Sequence, residues 1–184
     1  MKVIPTELSE VRILEPVVFS DARGFFSEWF SGKRNSEFAM TAEFVQDNHS
    51  RSHLGVLRGL HFQHPHGQVK LVKAVTGTIF DVAVDVRAGS PTFGKWTGVL
   101  LSEDNHRLLY IPQGFAHGFC VLSERADVIY KCSDYYSPKD ECGVRWDDPQ
   151  LAIAWPVDAP KVSERDLSYP LLHAIPLEKL PRYN

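Results

Sequence analysis

The chain has 184 residues, of which 43% are hydrophobic, 11% aromatic and 23% charged, a composition that excludes disorder and suits one globular domain. Lys and Arg total 20 against 23 Asp and Glu, a net charge of −3 without a basic run, so no nucleic-acid partner is expected, and no apolar stretch nears the ~20 residues of a spanning helix. The opening MKVIPTELSE lacks the regions of a secretory signal, and Cys120, Cys132 and Cys142 form no CxxC pair, which together predict a reducing, cytoplasmic setting.

Twelve Gly and twelve Pro cut the chain into short pieces. The first helical signal is a turn or two within Ser31 to Thr41. The strongest strand signal runs from Val69 to Val86, where VKLVKAV, the pair Thr76-Gly77 and TIFDVAVDV predict a hairpin of two paired strands. Period-two alternation places Phe80, Val82, Val84 and Val86 on one face and Ile79, Asp81, Ala83 and Asp85 on the other. Pattern alone leaves the two carboxylates either lining a polar cavity or on a solvated outer face. Further strands are predicted at Trp96–Leu101, Arg107–Ile111, Gly118–Leu122 and Val128–Cys132, and Ser163-Glu164-Arg165-Asp166-Leu167 reads as an N-capped helix. Short strands at regular spacing argue for an all-β sandwich or barrel over repeated βαβ units. The expected organisation is one β domain over 1–184, with an N-terminal strand region and a C-terminal helical appendage.

The densest chemistry lies in GVLRGLHFQHPHGQVKLVKAVTG, residues 55–77, and in Pro112-Gln113-Gly114-Phe115-Ala116-His117. Together these resemble the two-part pattern of the cupin superfamily, which implies a double-sheet jelly roll. Its metal-ligand positions fall on His64, His66, Lys70 and His117. Lys70 brings positive charge and no acceptor to that set, so no metal is expected. Histidine suits proton abstraction near neutral pH, and a lysine suits an oxyanion developing on a carbonyl. Tyr130 is the natural acid for an opposite face. Each also has a structural explanation: a strand Tyr usually packs, and a strand Lys usually reaches solvent.

A chain-long series of blocks is more specific. Asp21-Ala22-Arg23-Gly24-Phe25-Phe26, Leu57 to Gln63, Asp81 to Arg87, Gly89 to Gly94, Pro112 to His117, Tyr130 to Pro138, Trp146-Asp147-Asp148-Pro149, Trp155-Pro156 and Ser163 to Leu167 resemble the dTDP-4-dehydrorhamnose 3,5-epimerases. The resemblance runs from about Glu15 to Leu172. It implies a cofactor-free epimerase of a dTDP-keto-deoxysugar, in which a C4 ketone acidifies the hydrogens at C3 and C5. On this chain it makes His61 the base, Asp166 its carboxylate partner, Lys70 the stabiliser of the C4 enolate oxygen and Tyr130 the reprotonating acid. Substrate contacts fall on Arg23, Glu28, Gln46, Asn48, Arg58, His117, Glu141 and Arg165, with Phe19 and Phe26 as packing surfaces for the nucleotide or as core.

The resemblance further implies a homodimer, with strands around Phe19 to Phe30 packed on the partner and completing its site. Arg165 stands where the family carries Lys, and Val69 replaces a small residue before Lys70. Strict alternation would put Arg58 and His61 on opposite faces, a conflict that a bulge at Gly59 would resolve. The alternatives are a single-centre epimerase, a non-catalytic sugar-nucleotide-binding cupin, and a metal-dependent cupin using His64, His66 and His117.

Overall fold

The computed structural model describes residues 1–33, 40 and 42–183. Among these, thirteen strands form three antiparallel sheets. The strands are β1 (Lys2–Pro5), β2 (Arg12–Glu15), β3 (Val18–Asp21), β4 (Gly24–Ser27), β5 (Gln46–His53), β6 (Leu57–Gln63) and β7 (Lys70–Thr76). They continue as β8 (Thr78–Asp85), β9 (Trp96–Ser102), β10 (Leu108–Ile111), β11 (Phe115–Val121), β12 (Arg125–Cys132) and β13 (Glu141–Gly143). A six-stranded sheet has the order β1-β2-β10-β7-β12-β5 and a five-stranded sheet the order β13-β6-β11-β8-β9, while β3 and β4 pair as a separate ribbon. This is the all-β class that the short strands predict, in the double-sheet jelly-roll arrangement that the cupin resemblance implies. Of the helical expectation at Ser31–Thr41, residues 34–39 and 41 lie outside the described residues. No described helix is long and apolar enough to cross a membrane.

The strands from Val69 to Val86 are present, but they are not a hairpin. β7 pairs with β10 and β12 in one sheet, and β8 pairs with β11 and β9 in the other. Gly77, at φ +72°, turns the chain from sheet to sheet. Its N–H donates to Glu103 Oε1 and the Thr78 N–H to Ser123 Oγ, at 2.8 and 2.9 Å. The turn is therefore capped by distant side chains, and each strand takes its partners from later in the chain. Local pattern cannot carry that information.

Between the sheets, Val72 and Ala74 of β7 meet Ile79 and Ala83 of β8, with Leu109, Ile111, Phe119 and Val128 completing the layer. Alternation then forces Asp81 and Asp85 inward as well, and both are fully buried. The solvated-face alternative for these carboxylates is thus ruled out. The outer face of the five-stranded sheet, with Leu60, Val82, Val84 and Val86, is covered by Val144, Leu151 and the C-terminal residues Leu172, Ile175 and Leu180. The expected helix is present as α1 (Glu164–Ser168), capped by Ser163, whose Oγ accepts the Asp166 N–H at 3.1 Å.

Strand β6 carries the predicted irregularity. His61 pairs with His117 and Arg58 with Phe119, so three steps on β6 answer two on β11, a bulge. It reverses the alternation at Gly59, sending Leu60 outward to the C-terminal cover and Arg58 and His61 to one cavity. Gly59 sits at φ +125°, and a Cβ there would lie 2.5 Å from Gly118 Cα and 2.9 Å from the His117 carbonyl oxygen. Gly59→Ala is expected to destabilise the fold by about 2–4 kcal/mol, through both the left-handed backbone and the backbone collision. Denaturant unfolding checks this as a lowered midpoint at unchanged slope.

Candidate active site

Two walls face each other across a cavity of about 330 Å³. Gln46, Asn48 and Ser50 of β5, Lys70 of β7, and Tyr130 and Cys132 of β12 come from the six-stranded sheet; His61 and Gln63 of β6, His117 and Phe119 of β11 and Glu141 of β13 come from the five-stranded sheet. Register explains the grouping. Lys70, Cys132 and Gln46 form one cross-strand row, and Tyr130 and Asn48 stand two residues along it on the same face. On the other sheet His61 and His117 are direct cross-strand partners.

His61 Nε2 lies 2.8 Å from Asp166 Oδ1, while Asp166 Oδ2 accepts the Gly59 N–H at 3.2 Å. The carboxylate is presented by the first turn of α1, so the cap at Ser163 and the bulge at Gly59 both orient it. A carboxylate only accepts, so Nε2 carries the proton and Nδ1 is left as the basic nitrogen. Burial works against the Asp166 charge, but the His61 hydrogen bond and charge, the Gly59 N–H and the Arg165 charge outweigh it and hold the carboxyl below its ordinary value. The His61 ring also packs edge-on against Tyr169, with centroids 5.7 Å apart.

Lys70 keeps a little exposure on the cavity wall yet is crowded by protein. Burial pushes its ammonium below the usual lysine range, partly countered by Cys132, Asp81 and Glu141. Burial likewise pushes the Tyr130 hydroxyl up, helped by Cys132 and Glu141 and opposed by the Arg58 charge. A tyrosine so placed stays protonated at neutral pH, as an acid must. Arg58 anchors Nε on Ser52 Oγ at 3.0 Å. Asn48 takes Gln46 Nε2 on its oxygen at 3.0 Å and donates to Cys132 Sγ at 3.5 Å.

At the mouth, Glu141 Oε2 accepts from Tyr136 Oη at 2.6 Å and from Arg165 Nη1 at 3.0 Å. The Arg165 side chain is 56% exposed, so this pair orders the rim and contributes under about 1 kcal/mol. Tyr136, Cys132 and Gln63 line the cavity without having been singled out from sequence. Tyr130 to Pro138 was recognised as a block, and the strand alternation from Tyr130 would have found Cys132.

Not every sequence-derived residue arrives here. Arg23 pairs with Asp21 at 2.6 Å with 90% of its side chain exposed, and Phe19 and Phe26 stand 64% and 69% exposed on the β3–β4 ribbon. These three, and Glu28 just after β4, do not reach the cavity of their own chain, and neither phenylalanine is core. The four positions of the cupin ligand pattern also scatter. His66 Nδ1 bonds Asp140 Oδ2 at 2.8 Å and His64 lines a separate cleft with Glu10 and Arg87, leaving Lys70 and His117 in the cavity.

Since the Asp166 carboxyl lies below its ordinary 3.8 in the folded chain, its contribution to stability is present above the unfolded pKa and lost as pH falls through the folded one. Asp166→Asn is expected to flatten the acid side of the stability curve, measured as Tm between about pH 6 and pH 3.

A profile of the family described as dTDP-4-dehydrorhamnose 3,5-epimerase matches residues 5–174. The dTDP-4-dehydrorhamnose 3,5-epimerase of Shigella flexneri is 55% identical over 170 residues, covering 91% of this chain and 94% of that protein. The crystal structure of dTDP-6-deoxy-D-glucose-3,5-epimerase from Legionella pneumophila Philadelphia 1, in complex with dTDP-4-keto-L-rhamnose, superposes with a TM-score of 0.97 at 52% identity, over 100% of this chain and 98% of the other. ChmJ, a 3'-monoepimerase from Streptomyces bikiniensis solved with dTDP-quinovose, gives 0.90 at 40% identity, over 97% of this chain and 92% of the other. The matched span includes every strand that lines the cavity and the helix that presents Asp166, and on that ground the chain belongs to the dTDP-4-dehydrorhamnose 3,5-epimerase family.

Proposed function

We propose that this chain inverts C3 and C5 of dTDP-4-dehydro-6-deoxy-D-glucose by using its two facing walls as base and acid. The observation that carries the proposal is that His61 and Tyr130 project from opposite sheets into one cavity, with Lys70 on the strand next to that of Tyr130. His61 Nδ1 takes the hydrogen beside the C4 ketone, and the imidazolium that results is stabilised by Asp166. The C–H electron pair moves onto the C4 oxygen as an enolate held by the Lys70 ammonium. Collapse of the enolate then takes the Tyr130 hydroxyl proton on the opposite face of the carbon, inverting it. The imidazolium then gives its proton to solvent and the Tyr130 phenolate takes one from it, and with both groups reset the same sequence at the second carbon completes the double inversion.

Arg58, Gln46, Asn48, His117, Glu141 and Arg165 surround this centre as substrate contacts. Inversion at both centres is favoured by the greater identity, 52% against 40%, to the 3,5-epimerase solved with dTDP-4-keto-L-rhamnose than to the 3'-monoepimerase. Two copies would pair through the exposed β3–β4 ribbon, carrying Phe19, Arg23, Phe26 and Glu28 toward the neighbouring cavity. The chain then acts as one jelly-roll domain over 1–184. Its three free cysteines, two of them buried, suit a cytoplasmic enzyme.

In deuterated solvent the wild type is expected to wash deuterium into C3 and C5. His61→Ala should abolish exchange at both carbons, while Tyr130→Phe should retain exchange and lose inverted product. Lys70→Met should lower kcat about a hundredfold or more, the scale of losing one oxyanion donor. Absence of exchange with pure wild-type protein would refute the assignment, and a single inverted carbon would establish the mono-epimerase alternative. Phe26→Asp should lower the sedimenting mass and kcat together; an unchanged mass would remove the ribbon from the interface.

A further inference from the structure

His117 and Asp81 form a second His–carboxylate pair in the cavity wall, and of the two the mechanism above leaves Asp81 without a task. His117 Nε2 lies 2.7 Å from Asp81 Oδ1. Asp81 is fully buried, and its Oδ2 is among the described buried oxygens with no hydrogen-bond partner. An unpaired carboxylate oxygen in a dry core is costly unless opposite charge lies near. Lys70, on the facing sheet, feels both groups: the Asp81 charge supports its ammonium, and the ammonium acts against a charge on His117.

We propose that Asp81 is a positioning residue for the epimerisation, fixing His117 with Nε2–H toward the wall and Nδ1 toward the substrate while serving as counter-charge to the Lys70 ammonium. It rests on the reading of Lys70 as the enolate stabiliser. Burial keeps the His117 imidazole neutral, against the pull of Asp81. A neutral ring that donates from Nε2 to a carboxylate has a bare Nδ1, so His117 offers the cavity an acceptor, suited to a sugar hydroxyl. The titratable and charged groups that line the cavity with Lys70 are Tyr130 and Cys132 on its own sheet, Arg58, His61, His117 and Glu141 on the facing sheet, and Tyr136 and Arg165 at the mouth, with the Asp81 charge acting from within the facing wall. Asp81 and Glu141 are the carboxylates among them, and Glu141 is already engaged by Tyr136, Arg165 and Tyr169. Among the described residues, the hydrogen-bond partner of the Asp81 side chain is His117.

Two measurements test this. In the wild type, 15N NMR of His117 should show the Nε2–H tautomer, and an Nδ1–H tautomer overturns the proposal whatever the variants do. In Asp81→Asn, kcat should fall about 10–100-fold, and the alkaline limb of the kcat–pH profile should move about one unit toward acid, because the Lys70 ammonium loses a supporting charge. Asp81→Glu should restore the limb. In a Lys70→Arg background, where the cation does not titrate, Asp81→Asn should leave the limb in place. A folded Asp81→Asn with the wild-type limb, or the same shift on Lys70→Arg, overturns it. Lys70→Met at wild-type kcat would instead defeat the enolate role on which this rests, a distinguishable failure.

Discussion

Two glycines meet backbone to backbone where β6 crosses β11, and the site is built around that contact. Gly118 gives Gly59 the room to adopt its left-handed φ, and the extra β6 residue reverses the strand's alternation. The freed Gly59 N–H points at Asp166, so one backbone feature aims His61 and also holds the carboxylate behind it. Neither glycine provides a reacting atom. Their contribution is the absence of a side chain, which lets two strands approach more closely than any Cβ allows.

From that crossing the cavity acquires an asymmetric charge plan. The five-stranded wall carries two imidazoles, each backed by a buried carboxylate. The six-stranded wall carries the ammonium, the phenol and neutral amides. Burial alone would neutralise Lys70, and burial alone would keep His117 and Tyr130 uncharged. Carboxylates on the facing wall oppose that tendency at Lys70, where the proposed mechanism needs a positive charge, while at Tyr130 Cys132 and Glu141 add to burial and the Arg58 charge opposes it. Low dielectric makes each of these interactions stronger than it would be at a surface.

Much of this was legible in the amino-acid order, and the illegible parts share a cause. Strand positions from Lys70 onward follow from β-branched runs between Gly and Pro, and the α1 cap follows from Ser163. The bulge could be anticipated because Arg58 and His61 had the wrong spacing for one face. The pairing of β7 with β8 was misjudged because a Thr-Gly turn between two apolar runs looks the same whether the strands fold together or diverge into two sheets. The facing of Asp81 was undecidable for the related reason that alternation yields two faces without saying which is inside. At the site, His61, Lys70 and Tyr130 line one cavity and Asp166 bonds His61. Phe19, Arg23, Phe26 and Glu28 lie outside that cavity, because β3 and β4 pair with each other as a separate ribbon.

The proposed base and the proposed acid are secured in unequal ways. His61 is tied to Asp166 by a direct bond, and Asp166 in turn to the strand beneath it. Tyr130 is related to that pair through the apolar layer between the sheets, where it packs at the margin, and through an edge contact with the His117 ring, centroids 6.5 Å apart. Its distance from the substrate is a property of the whole sandwich. Loosening of the interior therefore strikes the return of the proton before its removal, which makes stereochemical fidelity, more than turnover, the trait that interior packing protects.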